Sequence, residues 1–282
     1  MSRADTERQL NVVGSQRSGL RFTALAFLAM FVLIVALLVA ADVAYLVHWK
    51  VSPGRLSRIL ISAEVLRALR LSVITSVITL LLVMLCAVPV GYALSRCRFP
   101  GHALVNTVVD VPIVLPPVVI GLSLLAFFGT PVGGWIKIAL KSVNVSLISG
   151  VGIVMCQFLV SVSYCIRATK ASFDSVDRRL EHVALSLGCS TWGALRRVTL
   201  PLARNGLVAG GVMAWARAIG VFGPLMVFVG TGPRVQVMPT NMWLELNVGN
   251  IEVALVVALI TMLLAGAALL LVHRLAPGRT WT

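Results

Sequence analysis

Few side chains in this sequence have the type and spacing that catalysis or metal binding requires. The five cysteines include no CxxC pair, and the four histidines stand in or beside polar segments, so neither a metal site nor a redox centre is predicted. A P-loop, a Ser/His/Asp arrangement and an HExxH motif are also missing from the sequence. We therefore predict a protein that is not an enzyme, binds no metal or cofactor itself, and takes any energy that it needs from elsewhere.

Two charged residues interrupt long apolar runs, where an ionisable group is costly unless it is paired or used. Asp110 has two interpretations: an acid near the start of its helix, favoured by the helix dipole, or a group that lines a pathway. Arg217 either attracts an anion or pairs with a carboxylate or a helix C-terminus. The sequence leaves both choices open.

The composition identifies the elements that position these residues. Hydrophobic side chains make up 59% of the chain and charged ones 12%, against roughly 25% charged residues in soluble domains. A membrane crossing needs about 20 apolar residues, so we predict an all-α integral membrane protein with six transmembrane helices. The apolar runs lie at about 22–47, 68–94, 104–128, 148–166, 205–229 and 251–273.

Prolines interrupt two of these runs and predict kinked helices. Pro89 lies in the second run, and Pro112, Pro116 and Pro117 lie in the third. Each proline removes a backbone donor and leaves a carbonyl free, which shapes either a pathway or simply the packing of the helix.

The net charge of +14 is interpreted as membrane topology rather than nucleic-acid binding. With a cytoplasmic N-terminus, inside segments carry 15 Lys and Arg and outside segments eight, as the positive-inside rule expects. The predicted organisation is a cytoplasmic tail (1–21), a multi-pass domain in the cell inner membrane (22–274) with a cytoplasmic loop (167–204), and a second cytoplasmic tail (275–282). A stretch within 50–70 is predicted to lie as an amphipathic segment on the outer surface.

The loop at 167–204 has a helical pattern. Asp174 or Ser175 can cap its first helix, Gly188 can end that helix, and Pro201 can occupy the first turn of the next transmembrane helix. From periodicity alone, this helix-turn-helix is either a docking element or an amphipathic connector that covers lipid headgroups.

The segment from Glu181 to Gly188, followed after nine intervening residues by Val198-Thr199-Leu200-Pro201, resembles the EAA loop of ABC importer permease subunits. That resemblance implies a type I ABC importer permease fold, with a cytoplasmic coupling helix between helices four and five that docks onto a separate ATPase. His182 and Val183 stand where the pattern usually has Glu and Ala. The resemblance assigns coupling to Glu181, His182, Ala184, Gly188, Leu200 and Pro201.

Residues 110–121, which contain the double proline, and residues 213–223 are similar to helices of molybdate, tungstate and sulfate permeases. The resemblance extends over about residues 66–274. It implies import of an oxyanion, molybdate or tungstate before sulfate, which an external binding protein delivers and ATP hydrolysis by the partner ATPase drives. Val221 stands where this branch typically has Glu.

Small residues recur four apart in the fifth run, at Gly206, Gly210, Ala214 and Ala218, and predict a helix-packing seam. Its neighbour belongs either to the same chain or to a second permease copy, and the family resemblance implies two permease subunits, expected here as a homodimer surrounded by lipid. Three alternatives stay open: a stand-alone secondary carrier or channel, a permease for another small anion, and a membrane scaffold without transport.

Overall fold

The computed structural model describes the chain in four ranges, 3–48, 53–142, 150–233 and 235–275, and none of them contains a β-strand. The chain forms two compact units, Met1–Arg55 and Leu56–Thr282. The first consists mainly of helix α1 (Arg3–His48), whose segment Thr23–Tyr45 is long and apolar enough to cross a bilayer. The tail predicted at 275–282 lies almost wholly outside the described residues.

The helices of the second unit determine where the charged groups and the loop lie. In chain order the remaining elements are α2 (Pro53–Ile61), α3 (Ala63–Arg96), α4 (His102–Val114), α5 (Pro117–Gly129), α6 (Pro131–Ser142), α7 (Gly150–Asp174), α8 (Arg178–Ser186), α9 (Thr191–Ala194), a π-helical turn (Leu195–Thr199), α10 (Leu200–Ile219), α11 (Gly223–Phe228), α12 (Met238–Val248) and α13 (Ile251–Leu275).

By length and composition, the described residues offer three membrane spans, in α1, α3 and α7, or four if α4 and α5 count as one broken span. A shorter apolar stretch, Ile251–Ala267, lies in α13. The all-helical fold is therefore confirmed for the described part of the chain, and the count of six transmembrane helices stays a prediction.

The double proline breaks a helix instead of kinking it. The sequence predicts one helix over 104–128, but α4 and α5 meet at an angle of 109°. Leu115 and Pro116 have extended backbones, with ψ of 133° and 132°, because the ring of a proline disfavours the helical region for the residue before it. Pro117 then opens α5, where its missing N–H costs nothing.

Helix α10 packs tightly against α7 through its small residues. A Cβ added to Gly210 would lie 2.7 Å from the Cβ of Ala168, and Gly206 is similarly close to Ser172. Ala214 and Ala218 are fully buried. The stripe of small residues thus faces a neighbour in the same chain, and it brings α10 close enough for its longer side chains to reach across α7.

Candidate docking loop and charged groups in the membrane helices

The loop after α7 begins at residue 175 instead of residue 167, about two helical turns later than the sequence predicts. Helix α7 continues to Asp174, whose carboxylate accepts hydrogen bonds of 2.6 Å from both Ser95 Oγ and Lys170 Nζ. The cap expected at Asp174 or Ser175 is instead Asp177, whose Oδ1 accepts a 2.9 Å hydrogen bond from the Arg179 N–H. Asp174 is thus occupied in holding α7 to the end of α3, so it does not cap α8.

Gly188 ends α8, as the sequence predicts. Its φ is +86°, a left-handed conformation that suits glycine because it has no Cβ. The following N–H, of Cys189, donates back to the Ala184 carbonyl at 3.0 Å, the hydrogen bond typical of a helix closed by such a glycine. The chain then passes through α9 and the π-helical turn into α10, with Pro201 in its first turn as expected.

Glu181 points into the chain and joins three elements. Its Oε1 accepts hydrogen bonds from Arg96 Nε at 2.9 Å and from Thr199 Oγ1 at 2.8 Å. The Arg96 and Glu181 side chains are only 8% and 13% exposed. Arg96 also donates to the Val176 carbonyl at 2.8 Å. We call these three side chains, Arg96, Glu181 and Thr199, the clamp, because they fix α8 to the C-terminal end of α3 and to the turn before α10.

The outward face of α8 is apolar. Leu187 is 80% exposed, and Val183 and Leu180 are also exposed, whereas Ala184 is buried. His182 lies on the exposed side as well. Exposed apolar side chains grouped on one short helix are typical of an interaction surface. Of the residues that the resemblance assigns to coupling, His182 and Gly188 are therefore accessible, and Glu181 and Ala184 lie on the inner side.

Asp110 lies in the second half of α4 and not at a helix start. Its carboxylate forms a bidentate ion pair with Arg167 of α7, which also donates to the Asn106 carbonyl at 3.2 Å. Both partners of the pair stay partly exposed. Arg167 lies within α7, although the sequence analysis placed it at the start of the cytoplasmic loop.

Arg217 stacks on an aromatic ring of α7. Its guanidinium carbon lies 5.3 Å from the centroid of the Tyr164 ring, within the range of cation–π contacts. The side chain of Arg217 is exposed. No described carboxylate forms a salt bridge with Arg217, so within the described chain its neighbour is an aromatic face rather than an acid.

The proline break borders an apolar cavity of about 230 Å³. Its lining includes Pro112 and Leu115 on one side and Leu124, Phe127 and Leu159 on the other. Val221 is also buried in an apolar cluster. It stands where the permeases that this sequence resembles typically have Glu. Neither place offers a charged side chain, and Ser123 is the one polar residue in the lining of the cavity. An anion would therefore find stronger partners on the charged face of α7 than in either place.

The described residues contain no group of three or more His, Cys, Asp and Glu side chains that could hold a metal ion. The sequence analysis did not assign three of these residues to a site, namely Arg96, Thr199 and Arg167. Arg96 and Arg167 were counted only for their charge, because nothing local in the sequence indicates partners 85 and 57 residues away.

Comparisons with known proteins give consistent matches. Residues 87–281 match the family described as binding-protein-dependent transport system inner membrane component. A probable molybdenum ABC transporter permease protein of Haloferax volcanii is 38% identical over 224 residues, covering 79% of this chain and 80% of that protein. The molybdate/tungstate transport system permease protein WtpB of Thermococcus kodakarensis is 35% identical over 214 residues, covering 76% of this chain and 77% of that protein.

A similar fold occurs in a bacterial alginate ABC transporter solved in complex with an alginate pentasaccharide-bound periplasmic protein. The TM-score is 0.73 at 16% sequence identity, over 95% of this chain and 97% of the other. Identity this low establishes likeness of fold alone. The likeness of fold extends over nearly the whole chain.

Proposed function

The chain belongs to the family of binding-protein-dependent transport system inner membrane components, and from this premise we propose that it is the permease subunit through which an ABC importer passes molybdate or tungstate. The observation that carries the substrate is its identity of 38% and 35% to permeases named for molybdenum and for molybdate/tungstate. Sulfate is the second candidate, since it is a tetrahedral dianion like the other two.

The substrate is tested by uptake of radiolabelled molybdate into cells that carry this chain with its partner subunits and lack any other uptake system for the anion. We expect equimolar tungstate to compete strongly and sulfate to compete only in large excess. Uptake that none of the three oxyanions affects would remove the proposal, and stronger competition by sulfate would reassign the substrate.

In this proposal, the outward face of α8 docks onto the ATPase. The face consists of Leu180, His182, Val183 and Leu187. Two observations support this docking. The face is exposed, and the hydrogen bond of Glu181 with Arg96 on the inner side holds the helix in a fixed position. ATP is bound and hydrolysed by the ATPase, and this chain needs no cofactor of its own. The remaining coupling residues, Leu200 and Pro201, set where α10 starts after the loop.

Docking is tested by recovering the tagged chain from its native membrane in mild detergent, with and without Gly188→Arg. The wild-type chain is expected to bring down an ATPase and the variant to stay in the membrane without one. Recovery of equal amounts of ATPase with both would remove this docking surface. If no ATPase is recovered with either, and uptake continues when ATP is depleted but an ion gradient is kept, the chain is a stand-alone carrier.

The complete importer in this proposal contains two copies of the chain, each with six transmembrane helices and cytoplasmic termini, and an external binding protein that delivers the anion. A second copy would surround the exposed charges of α7 with protein and water instead of lipid. The similar alginate transporter was solved with a periplasmic protein, which supports an external binding protein here.

Transport then occurs by alternating access. ATP-driven closure of the ATPase subunits displaces α8, and the clamp passes this displacement to α3 and α10. The anion is released because the inward-open state binds it less tightly than the outward-open state, as any such shift between states requires.

A further inference from the structure

Charged side chains on or against the membrane helix α7 include three that the described part of the chain does not bury. The side chains of Arg167 and Asp110 are 35% and 39% exposed, and Arg217 is exposed as well. Contact of these groups with lipid is unfavourable, and charged residues inside membrane segments almost always face water or other protein. The face of α7 that carries Arg167 therefore borders a water-filled space or a partner, not the hydrocarbon.

The positive groups are arranged in sequence along this face. Tyr164 and Arg167 are three residues apart and so lie on the same side of α7. Arg217 covers the ring of Tyr164, and Arg167 follows one turn closer to the cytoplasmic end of the helix. Among the described residues, Asp110 is the only carboxylate that pairs with Arg167, and none pairs with Arg217, so the face keeps an excess of positive charge.

We infer that Arg217, Tyr164 and Arg167 form a binding face for a divalent tetrahedral oxyanion, and that Asp110 occupies the Arg167 guanidinium whenever the oxyanion is absent. This inference rests on the proposed function. It goes further because it assigns the residues that handle the anion and gives Asp110 the role of an internal competitor.

The chemistry of the pair fits this exchange. A planar guanidinium binds a carboxylate and a tetrahedral oxyanion through the same pair of parallel N–H donors. An anion with two charges attracts Arg167 and Arg217 together, whereas Asp110 carries one charge and reaches only Arg167. The Asn106 carbonyl, which accepts from Arg167 at 3.2 Å, keeps the guanidinium in place while its other partner changes.

The competitor also explains how the anion leaves. A pathway must bind its ion well enough to admit it and weakly enough to release it. Two free arginines would retain a divalent anion, so return of the Asp110 carboxylate to Arg167 speeds release towards the cytoplasm.

The test uses the complete transporter, with its ATPase and binding protein, reconstituted in liposomes, and measures molybdate uptake per ATP hydrolysed. Arg217→Gln is the first variant, because an exposed side chain with a cation–π contact is removed with little loss of stability. We expect uptake to fall at least about tenfold, the usual scale for losing a charged hydrogen-bond donor. The matched control is Arg98→Gln, which removes an exposed arginine just after α3 and should leave uptake unchanged.

The second variant exchanges the ion pair, with Asp110→Arg and Arg167→Asp combined. A purely structural pair would work in either orientation, so assembly and uptake would both return to the wild-type level. Our inference requires that assembly returns and uptake stays about tenfold reduced or lower, because α7 then presents a carboxylate to the anion. If the exchanged pair does not assemble, Arg217→Gln decides alone.

Wild-type uptake by Arg217→Gln, or by the exchanged pair, would overturn the inference and leave the proposed function intact. The unmodified transporter is measured first to separate the two. If it carries none of molybdate, tungstate and sulfate, the proposed function fails, and the oxyanion site fails with it.

Discussion

The clamp offers the sharpest perturbation of the docking loop, because one substitution in α3 should loosen a helix that is distant in sequence. Arg96→Met keeps the apolar stem and removes the guanidinium that binds Glu181 and the Val176 carbonyl. Glu181 is then left as a largely buried carboxylate whose remaining partner among the clamp residues is Thr199.

The size of the effect follows from burial. Removing one partner of a buried ion pair destabilises by about 3 to 5 kcal/mol. The Glu181 side chain is 13% exposed and keeps its hydrogen bond from Thr199, so we expect an effect below this range, about 2 to 3 kcal/mol, on the local opening of α8. That free energy corresponds to roughly 30- to 150-fold faster amide exchange in α8.

The assay is hydrogen exchange of the α8 amides in the assembled transporter, read by mass spectrometry. The matched control is Lys170→Gln, which breaks a second ion pair close to the same loop. That pair is more exposed, at 24% for Lys170 and 42% for Asp174, so its loss should change stability by less than about 1 kcal/mol.

The double variant Arg96→Met with Glu181→Leu makes the test specific to charge. Replacing both members of a buried pair by apolar side chains is often neutral or stabilising, so we expect α8 exchange to return most of the way to the wild-type rate. Exchange in Arg96→Met that stays within about threefold of wild type would refute the clamp. A double variant at least as fast as Arg96→Met would show that burial of charge is not the cause.

Three further substitutions test separate parts of the argument. Leu187→Asp should leave thermal stability unchanged, because the side chain is 80% exposed, and should abolish recovery of the ATPase in a pull-down; retained ATPase would contradict docking through this face. Gly210→Leu should lower stability in detergent by about 1 to 3 kcal/mol, since its Cβ would lie 2.7 Å from that of Ala168. The matched control is Gly266→Leu, because a Cβ at Gly266 would have nothing within 4 Å. Equal melting temperatures of the two variants would argue against the seam. Val221→Glu should destabilise the chain by several kcal/mol, roughly the penalty for an unpaired buried charge, and normal thermal stability of this variant would show that the position is not buried.

Local chemistry made part of this architecture predictable. The conformations of Gly188 and Pro201 follow from the backbone preferences of glycine and proline, so the sequence indicates the end of α8 and the start of α10. The double proline indicated a disturbed helix. The size of the bend, however, depends on how two consecutive residues before proline are packed, so the sequence predicted a kink where the structure has a break.

The clamp and the charged face were not predictable in the same way. Arg96 pairs with Glu181 across 85 residues and Asp110 with Arg167 across 57, and no periodicity within one helix encodes a partner on another. The sequence did place Asp110 and Arg217 within apolar runs, but it placed Arg167 in the loop. What it lacked was the packing of α4 and α10 against α7, which depends on the small residues at Gly206 and Gly210 and on the orientation of every neighbouring helix.

Helix α7 connects the charged face to the docking loop without a break. Arg167 lies seven residues before Asp174, about 10 Å at the rise of an α-helix, and Asp174 is bonded to Ser95 beside the clamp. In the coupling that we propose, a displacement of α8 by the ATPase reaches Arg167 through one helix and reaches α3 through Arg96. For this displacement to drive transport, it must change how strongly Arg167 prefers the oxyanion to Asp110. Linkage then requires the reverse effect as well: oxyanion binding on α7 must change the affinity of the chain for its ATPase by the same factor.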